Sequence, residues 1–261
     1  MMAACLALLL AASGGIDSYQ RANALFEQQQ YAEAITQLDQ AIKEDPGYAP
    51  AWILRGKIAM AFNRFDVARW AFVKAAQLDP ASAHTQFMLG FFYYVDNDFV
   101  RAIPALQTAA QLDANDSQTL LYWAMSEEGL AHPDVASELY RKAIALENSQ
   151  GKPSAETHTA YGRLLFTLGH YDESAREVDR VLELDPASRD GHYEKGRLAF
   201  QKDQFAVAAS EGEKALAAKG HGTTDRQIHF LLARAYAKLG DAAKATLHRK
   251  AFEASPATLR R

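Results

Sequence analysis

Histidines and carboxylates are the side chains in this 261-residue sequence that are best suited to chemistry. Three of the eight histidines, His158, His192 and His229, recur at equivalent places along the chain. Zinc binds histidine nitrogens at about 2.0–2.1 Å, whereas equivalent residues of stacked helical units lie about 10 Å apart. Because three such histidines cannot share one ion, we predict no metal. We expect them to pack half-buried between units, in the place that Trp52 has further upstream.

Other catalytic patterns are missing from the sequence. It has no GxxxxGK[ST], GxGxxG, HExxH or GxSxG motif, and its one cysteine, Cys5, lies in an apolar leader. Four further carboxylates are expected on solvated helix faces rather than in an acid–base pair: Glu127, Glu128, Glu211 and Glu213. The sequence therefore predicts neither an enzyme nor a cofactor.

Composition restricts the choice of partner. The formal net charge is -4, whereas a protein that binds nucleic acid over its whole surface needs a basic excess. A single cysteine also rules out an internal disulfide. We expect no nucleic-acid partner.

The stretch 51–80 is the template for most of the chain, because its pattern of small residues returns about every 34 residues. A first helix carries a small residue where its partner crosses it, at Ala22, Gly56, Gly90, Ala124, Gly162, Gly196 and Ala233. The second helix carries another, at Ala34, Ala68, Ala102, Ala136, Ser174, Ala208 and Ala245. A third small or slim residue follows at Ala41, Ala75, Ala109, Ala143, Val181, Ala215 and Ala251. Small side chains permit close helix packing.

Aromatic residues and prolines punctuate the same repeat. An aromatic residue precedes or opens the second helix at Tyr31, Phe65, Phe99, Tyr171 and Phe205, and Asp-Pro ends three units at residues 45–46, 79–80 and 185–186. Pro104 predicts a helix start near 99–103 or a mild kink, and Pro133 suits the first turn of a helix. No stretch alternates as a β-strand does, so the chain is predicted to be all-α.

This pattern resembles the tetratricopeptide repeat (TPR) family. The resemblance implies an all-α solenoid of seven helix-turn-helix repeats, about fourteen helices in a right-handed superhelix, that binds protein rather than catalysing a reaction. The repeats are expected at 15–48, 49–82, 83–116, 117–150, 155–188, 189–222 and 226–255, with a tail at 256–261.

The leader, residues 1–14, leaves the location open. Its apolar run is too short to span a bilayer, which takes about 20 residues, and it resembles the core of a secretory signal although no basic residue precedes it. The protein is exported or periplasmic if this segment acts as a signal, and cytoplasmic otherwise.

In TPR proteins the first helix of each repeat lines a concave groove, so the resemblance implies candidate binding residues. These are Lys57, Phe87, Phe91, Tyr94, Met125, Arg163, Phe166, Tyr193, Arg197, Phe200, Phe230 and Arg234. The earlier repeats offer an apolar floor, and the later ones offer three arginines interleaved with aromatic rings. Arginine binds carboxylates through paired hydrogen bonds. We therefore predict a peptide partner, extended or helical, with an apolar and an acidic segment.

Three alternatives remain open from the sequence. The arginines could pair internally with Asp190, Glu194 or Glu156, the apolar half could receive a second copy of the chain, or the array could be the regulatory subunit of an enzyme or envelope complex. Capture of a chaperone's C-terminal carboxylate is disfavoured. The family's Lys/Asn/Asn/Lys/Arg set is matched only at Asn23 in the first three repeats.

Overall fold

A computed structural model describes residues 2–220 and 222–255, with side chains from residue 15 onward. These residues form helices and turns without a strand. The helices are α1 (Met2–Glu27), α2 (Tyr31–Glu44), α3 (Ala49–Ala61), α4 (Phe65–Leu78), α5 (Ala83–Val95), α6 (Phe99–Leu112), α7 (Ser117–Gly129), α8 (Pro133–Ser149), α9 (Ala155–Thr167), α10 (Tyr171–Leu184), α11 (Arg189–Gln201), α12 (Phe205–Ala217), α13 (Asp225–Lys238) and α14 (Ala242–Ala254). The predicted all-α fold of seven helix pairs is confirmed.

The chain divides into two compact units, residues 1–139 and 140–261. The core of the first unit is built around Phe72 and Phe92, whose ring centroids lie 5.5 Å apart. The core of the second unit is built around Ile228, Leu232 and Ala235, which are fully buried. Each core lies between successive helices, as expected when every repeat covers its neighbour.

Small residues let paired helices approach closely. At Gly56, an added Cβ would lie 2.6 Å from the ring of Phe72, so the phenyl ring occupies the space that a side chain would need. The small residues of the first six pairs are buried on both helices. In the last pair Ala233 and Ala245 are only half-buried, since no described helix packs beyond α14.

The Asp-Pro pairs lie at helix ends, as expected. Aspartates 45, 79 and 185 each follow the last residue of a helix, and a proline comes next. Helix α6 begins at Phe99 and continues through Pro104, and Pro133 opens α8. Proline costs little at position 133, because the first four backbone N–H groups of a helix lack helical acceptors. Pro104 is the sixth residue of α6, so it removes one helical hydrogen bond without ending the helix.

No described helix is long and apolar enough to cross a membrane. The side chains of the predicted leader, 1–14, and the tail, 256–261, lie outside the described residues. The signal-like role of the leader stays a prediction.

Candidate functional site

The second unit contains a cleft of about 1120 Å³ between its first helices α9, α11 and α13, with α14 at one end. Seven of the twelve residues predicted from the sequence line it together: Arg163, Phe166, Tyr193, Arg197, Phe200, Phe230 and Arg234. The repeat brings them together because each occupies an equivalent place on a first helix. The cleft is therefore lined by alternating guanidinium groups and aromatic rings.

Two arginines stack on aromatic rings in the same way. The guanidinium carbon of Arg197 lies 4.0 Å from the ring centroid of Phe166, and that of Arg234 lies 4.4 Å from the centroid of Phe200. In both cases the ring belongs to the preceding repeat. Arg234 also lies 5.4 Å from Phe230 in its own helix. Stacking uses the face of the guanidinium and leaves its N–H edge free for a planar acceptor.

Arg234 has no internal carboxylate partner. Among the described residues, Arg234 contacts the rings of Phe200 and Phe230, and its guanidinium donates no hydrogen bond. A guanidinium has five N–H donors, so Arg234 offers donors to a bound anion. Arg197 is less free, because its NH1 donates to Glu194 over 2.6 Å.

The guanidinium of Arg163 is paired with side chains of the protein, so it is not free to bind an anion. Its Nε donates to Glu194 over 2.8 Å, and its NH2 donates to Asp190 over 2.7 Å and to Thr223 over 3.1 Å. Burial acts to lower the pKa of Arg163, but the two carboxylates outweigh it and raise the pKa. The internal pairing left open by the sequence is thus found for Arg163 with both Asp190 and Glu194.

Sequence reasoning missed one end of the cleft, formed by Arg226 and Phe252. The guanidinium of Arg226 lies 4.0 Å from the ring centroid of Phe252 and donates to the carbonyls of Phe252 and Ser255. The ring of Phe252 also packs 5.4 Å from Phe230. The repeat spacing could have identified Phe252. The third small position lies seven places after the second, and seven places after Ala245 is Phe252. Assigning it to Ala251 was wrong by one residue.

The cleft carries a net positive charge. Four guanidiniums line it, at Arg163, Arg197, Arg226 and Arg234, whereas Glu194 is its one lining carboxylate among the described residues. Asp190 adds a second carboxylate beside Arg163. Two positive charges remain without a carboxylate in the described structure, so an anionic ligand is favoured there.

A buried arginine fixes the wall of the cleft between α12 and α13. The side chain of Arg189 donates to the carbonyls of Ala218 and Thr223 and pairs with Asp225. Gly222 and Thr224, which line the cleft, belong to this connection. Residues 223–225, which separate the sixth and seventh predicted repeats, are thereby held in place.

The first unit has a smaller, more apolar cavity of about 330 Å³. Lys57, Phe87 and Phe91 line it, as predicted, and Tyr122 was missed. The ring of Tyr122 contacts Phe91 at 4.8 Å and Tyr94 at 5.3 Å between centroids. Two predicted residues, Tyr94 and Met125, do not line this cavity.

The recurring histidines hold the place of Trp52, and His192 and His229 are half-buried as expected, whereas His158 is buried. His192 Nε2 lies 3.1 Å from the carbonyl of Pro186, and the indole N–H of Trp52 donates to the carbonyl of Pro46 over 3.0 Å. His192 therefore makes the same contact as Trp52. Each of the three histidines also faces a residue nineteen places later, at Glu177, Glu211 and His248.

Two expected solvated carboxylates are in fact buried, so that prediction was wrong. Glu211 is 7% exposed and bonds to His192 and Lys214. Glu127 is also 7% exposed and accepts hydrogen bonds from Trp123 over 2.9 Å and from His132 over 2.8 Å. Their partners lie on other turns or helices, where repeat spacing alone did not reveal them.

Fourteen helices that follow one another as seven helix-turn-helix pairs are typical of a helical-repeat protein. The tetratricopeptide repeat model matches residues 19–83 and 159–223. The chain belongs to the TPR family, whose members are generally non-catalytic scaffolds for protein–protein interaction.

Known proteins share the fold. The anaphase-promoting complex subunit 3 of Schizosaccharomyces pombe is 22% identical over 180 residues, which is 69% of this chain and 26% of that protein. In the Cut9–Hcn1 crystal structure, a chain matches with TM-score 0.71 and 19% identity, over 87% of this chain and 45% of its own length. A tetratricopeptide repeat protein from Parabacteroides merdae matches with TM-score 0.74 and 14% identity, over 95% of both chains. This chain thus spans less than half of the first two relatives.

Proposed function

We propose that this protein is a non-enzymatic scaffold whose second-unit cleft binds an acidic segment of a partner protein. The observation that supports this most is the stacked but otherwise unpartnered guanidinium of Arg234, beside Phe200 and Phe230. A desolvated carboxylate would receive paired N–H donors from an arginine that the rings already hold in place.

The repeat spacing suggests the sequence of the bound segment. Arg197 and Arg234 hold equivalent places in neighbouring repeats, which are about 10 Å apart. An extended chain covers about 10 Å in three residues. A segment with a carboxylate at every third position would therefore present one acidic group to each arginine, and apolar residues between them would meet Phe200 and Phe230.

The first unit would bind an apolar segment separately. Phe87, Phe91 and Lys57 line its cavity, and burial of one large apolar side chain there would contribute about 1.5–3 kcal/mol. We keep Tyr94 and Met125 in this surface as the sequence predicted, and the ring of Tyr94 contacts Tyr122, which lines the cavity. Lys57 adds a positive charge beside the rings.

Binding in the cleft requires no chemistry. Among the described residues that line the cleft, Glu194 is the only carboxylate that could act as a base, and it already accepts hydrogen bonds from Arg163 and Arg197. We therefore propose that the protein holds its partner without changing it. Self-assembly through the apolar surface is the alternative outcome of the binding test.

The test uses a fluorescein-labelled peptide of about twelve residues, with aspartate at every third position and leucine and serine between. A matched amide peptide carries asparagine in place of each aspartate. We expect the full chain to bind the acidic peptide at least about tenfold more tightly than the amide peptide by fluorescence anisotropy. Equal affinities would refute a carboxylate-binding cleft. Light scattering of the same sample shows whether the chain instead binds itself.

A further inference from the structure

Three histidine pairs occupy equivalent places between paired helices, and the last one differs in kind. In each pair, Nδ1 of a first-helix histidine faces the residue nineteen places later: Glu177 at 2.6 Å from His158, Glu211 at 2.7 Å from His192, and His248 at 3.0 Å from His229. Two pairs are therefore histidine with carboxylate. The third is histidine with histidine, between α13 and α14.

This difference sets how each pair responds to added protons. An imidazolium can still donate to a facing carboxylate, so a histidine–glutamate pair keeps its hydrogen bond when the histidine is charged. Two facing Nδ1 atoms form a hydrogen bond only while they share one proton. If His229 and His248 are both protonated, two N–H groups and two positive charges face each other, and His248 is only 6% exposed.

The side chains that surround His248 include one carboxylate and one further positive charge. Glu213 of α12 lies 3.3 Å from Nε2 of His248. Tyr236 of α13 stacks on His248 at 5.6 Å between centroids and donates its hydroxyl to Glu213 over 3.0 Å. Lys244 of α14 lies 3.5 Å from that hydroxyl and adds a positive charge. One carboxylate is thus shared by the histidine pair and Tyr236.

The charges around His229 act in the same direction overall. Burial lowers the pKa of His229, and the neighbouring His248 and Arg189 lower it further. Asp225 and Glu213 act to raise the pKa, but their effect is smaller. Its folded pKa is therefore below the unfolded value of about 6.5. Between these two pKa values the folded state binds fewer protons than the unfolded state. The contribution of His229 to stability is therefore fully present above about pH 6.5 and falls as the pH falls below it.

The same two helices close the cleft. Arg226, Phe230 and Arg234 lie on α13, and Phe252 lies on α14. Arg226 joins the helices by donating to the carbonyls of Phe252 and Ser255. Any separation of α14 from α13 would remove Phe252 from Phe230 and release the guanidinium of Arg226.

We propose that the His229–His248 pair makes the cleft pH-dependent: double protonation loosens α14 from α13, and the cleft releases its acidic ligand below neutral pH. The proposal rests on the proposed function for its ligand, but the loosening of the two helices is independent of it. Carboxylates of the ligand remain ionised at about pH 5.5, because their pKa values are near 4. Loss of binding at that pH would then come from the protein.

The experiment measures both consequences in the full chain at about pH 7.5 and about pH 5.5. Hydrogen exchange, corrected for the intrinsic rate at each pH, follows α13 and α14 without ligand. Fluorescence anisotropy follows the acidic peptide defined above. We expect protection in α13 and α14 and affinity for the peptide each to fall about tenfold at the lower pH. Protection in α9–α12 should change less.

His248→Gln is the variant that tests the pair itself. A glutamine accepts from His229 in either protonation state and remains neutral, so we expect the pH response of α13 and α14 to become much smaller, leaving only the part that burial of His229 causes. His229→Gln changes the half-buried histidine of the pair and should have the same effect. It replaces His248→Gln in the experiment if that variant does not fold. His192→Gln removes a histidine–carboxylate pair and should leave the response in place.

Two results would overturn the proposal. One is unchanged protection of α13 and α14 in the wild-type chain between the two pH values. The other is a response that keeps its full size in both His248→Gln and His229→Gln. If the peptide fails to bind at either pH while protection changes as expected, the proposed ligand is wrong and the pH-dependent packing stands.

Discussion

Arg234 of one repeat lies with its guanidinium carbon 4.4 Å from the ring centroid of Phe200 in the repeat before it. The same relationship joins Arg197 to Phe166 at 4.0 Å. In each case the arginine comes one place after a small crossing residue, and the phenylalanine comes four places after the preceding one. The residue beside the crossing position therefore faces the cleft, and the small residue itself maintains the helix packing.

The packing role of the small residues predicts different outcomes for two glycines. Gly56→Ala should reduce the free energy of unfolding by about 1–3 kcal/mol, because the new Cβ would overlap the buried ring of Phe72. Gly162→Ala is the matched control, since its Cβ would meet ordinary contacts from 3.4 Å outward. Alanine there should be neutral or stabilising by up to about 1 kcal/mol. Urea unfolding of both variants checks this, and equal effects would contradict it.

Glu194 is predicted to hold the arginines of the cleft in position. Its side chain is 3% exposed and accepts from both Arg163 and Arg197. Glu194→Gln should reduce the free energy of unfolding by about 1–3 kcal/mol, because an amide replaces a buried carboxylate between two guanidiniums. Glu183→Gln, at an exposed pair with Arg180, should cost less than about 1 kcal/mol. Similar losses in both variants, measured by urea unfolding, would argue against this role.

Glu211 gives a pH dependence of the same sign as that of the His229–His248 pair, but in a lower pH range. Burial acts to raise the pKa of Glu211, but hydrogen bonds from Lys214 and His192 outweigh it and lower the pKa. A lowered carboxyl pKa contributes stability above the unfolded value of about 4.3 that is lost as the pH falls. Glu211→Gln should therefore be less stable than wild type near pH 6, with a smaller difference near pH 3. A difference that grows on acidification would exclude this.

The fold was predictable because repeat geometry is local. Small residues such as Gly56, the aromatic openers such as Phe65 and the Asp-Pro stops all act within one helix pair, and their spacing states the register directly. The seven pairs and the helix starts at Phe99 and Pro133 followed from that register.

The candidate site was predictable in part. Three repeated positions of the first helix, one and four places after the small residue and three places before it, gave seven residues that line one cleft. Equivalent positions of successive repeats share a face. Side-chain pairing was not predictable in the same way. Burial of Glu127 and Glu211 depends on contacts between helices, and the sequence did not show that Arg163 would be paired while Arg234 would not.

The end of the array was the least predictable part. Phe252 stands where the earlier repeats have a small residue, and the structure directs its ring to Phe230 and Arg226. Without another described helix beyond α14, that position is free to carry a large side chain. Departures from the repeat are therefore informative at its last helix.

We infer that Arg234, together with the partly paired Arg197, binds the acidic segment through guanidinium N–H groups. The most direct measurement compares the affinity of the acidic peptide for wild type and for Arg197→Ala/Arg234→Ala, with Arg180→Ala as an exposed control outside the cleft. We expect at least about a tenfold loss of affinity for the double variant and no change for the control. A double variant that folds and binds the acidic peptide as tightly as wild type would contradict it.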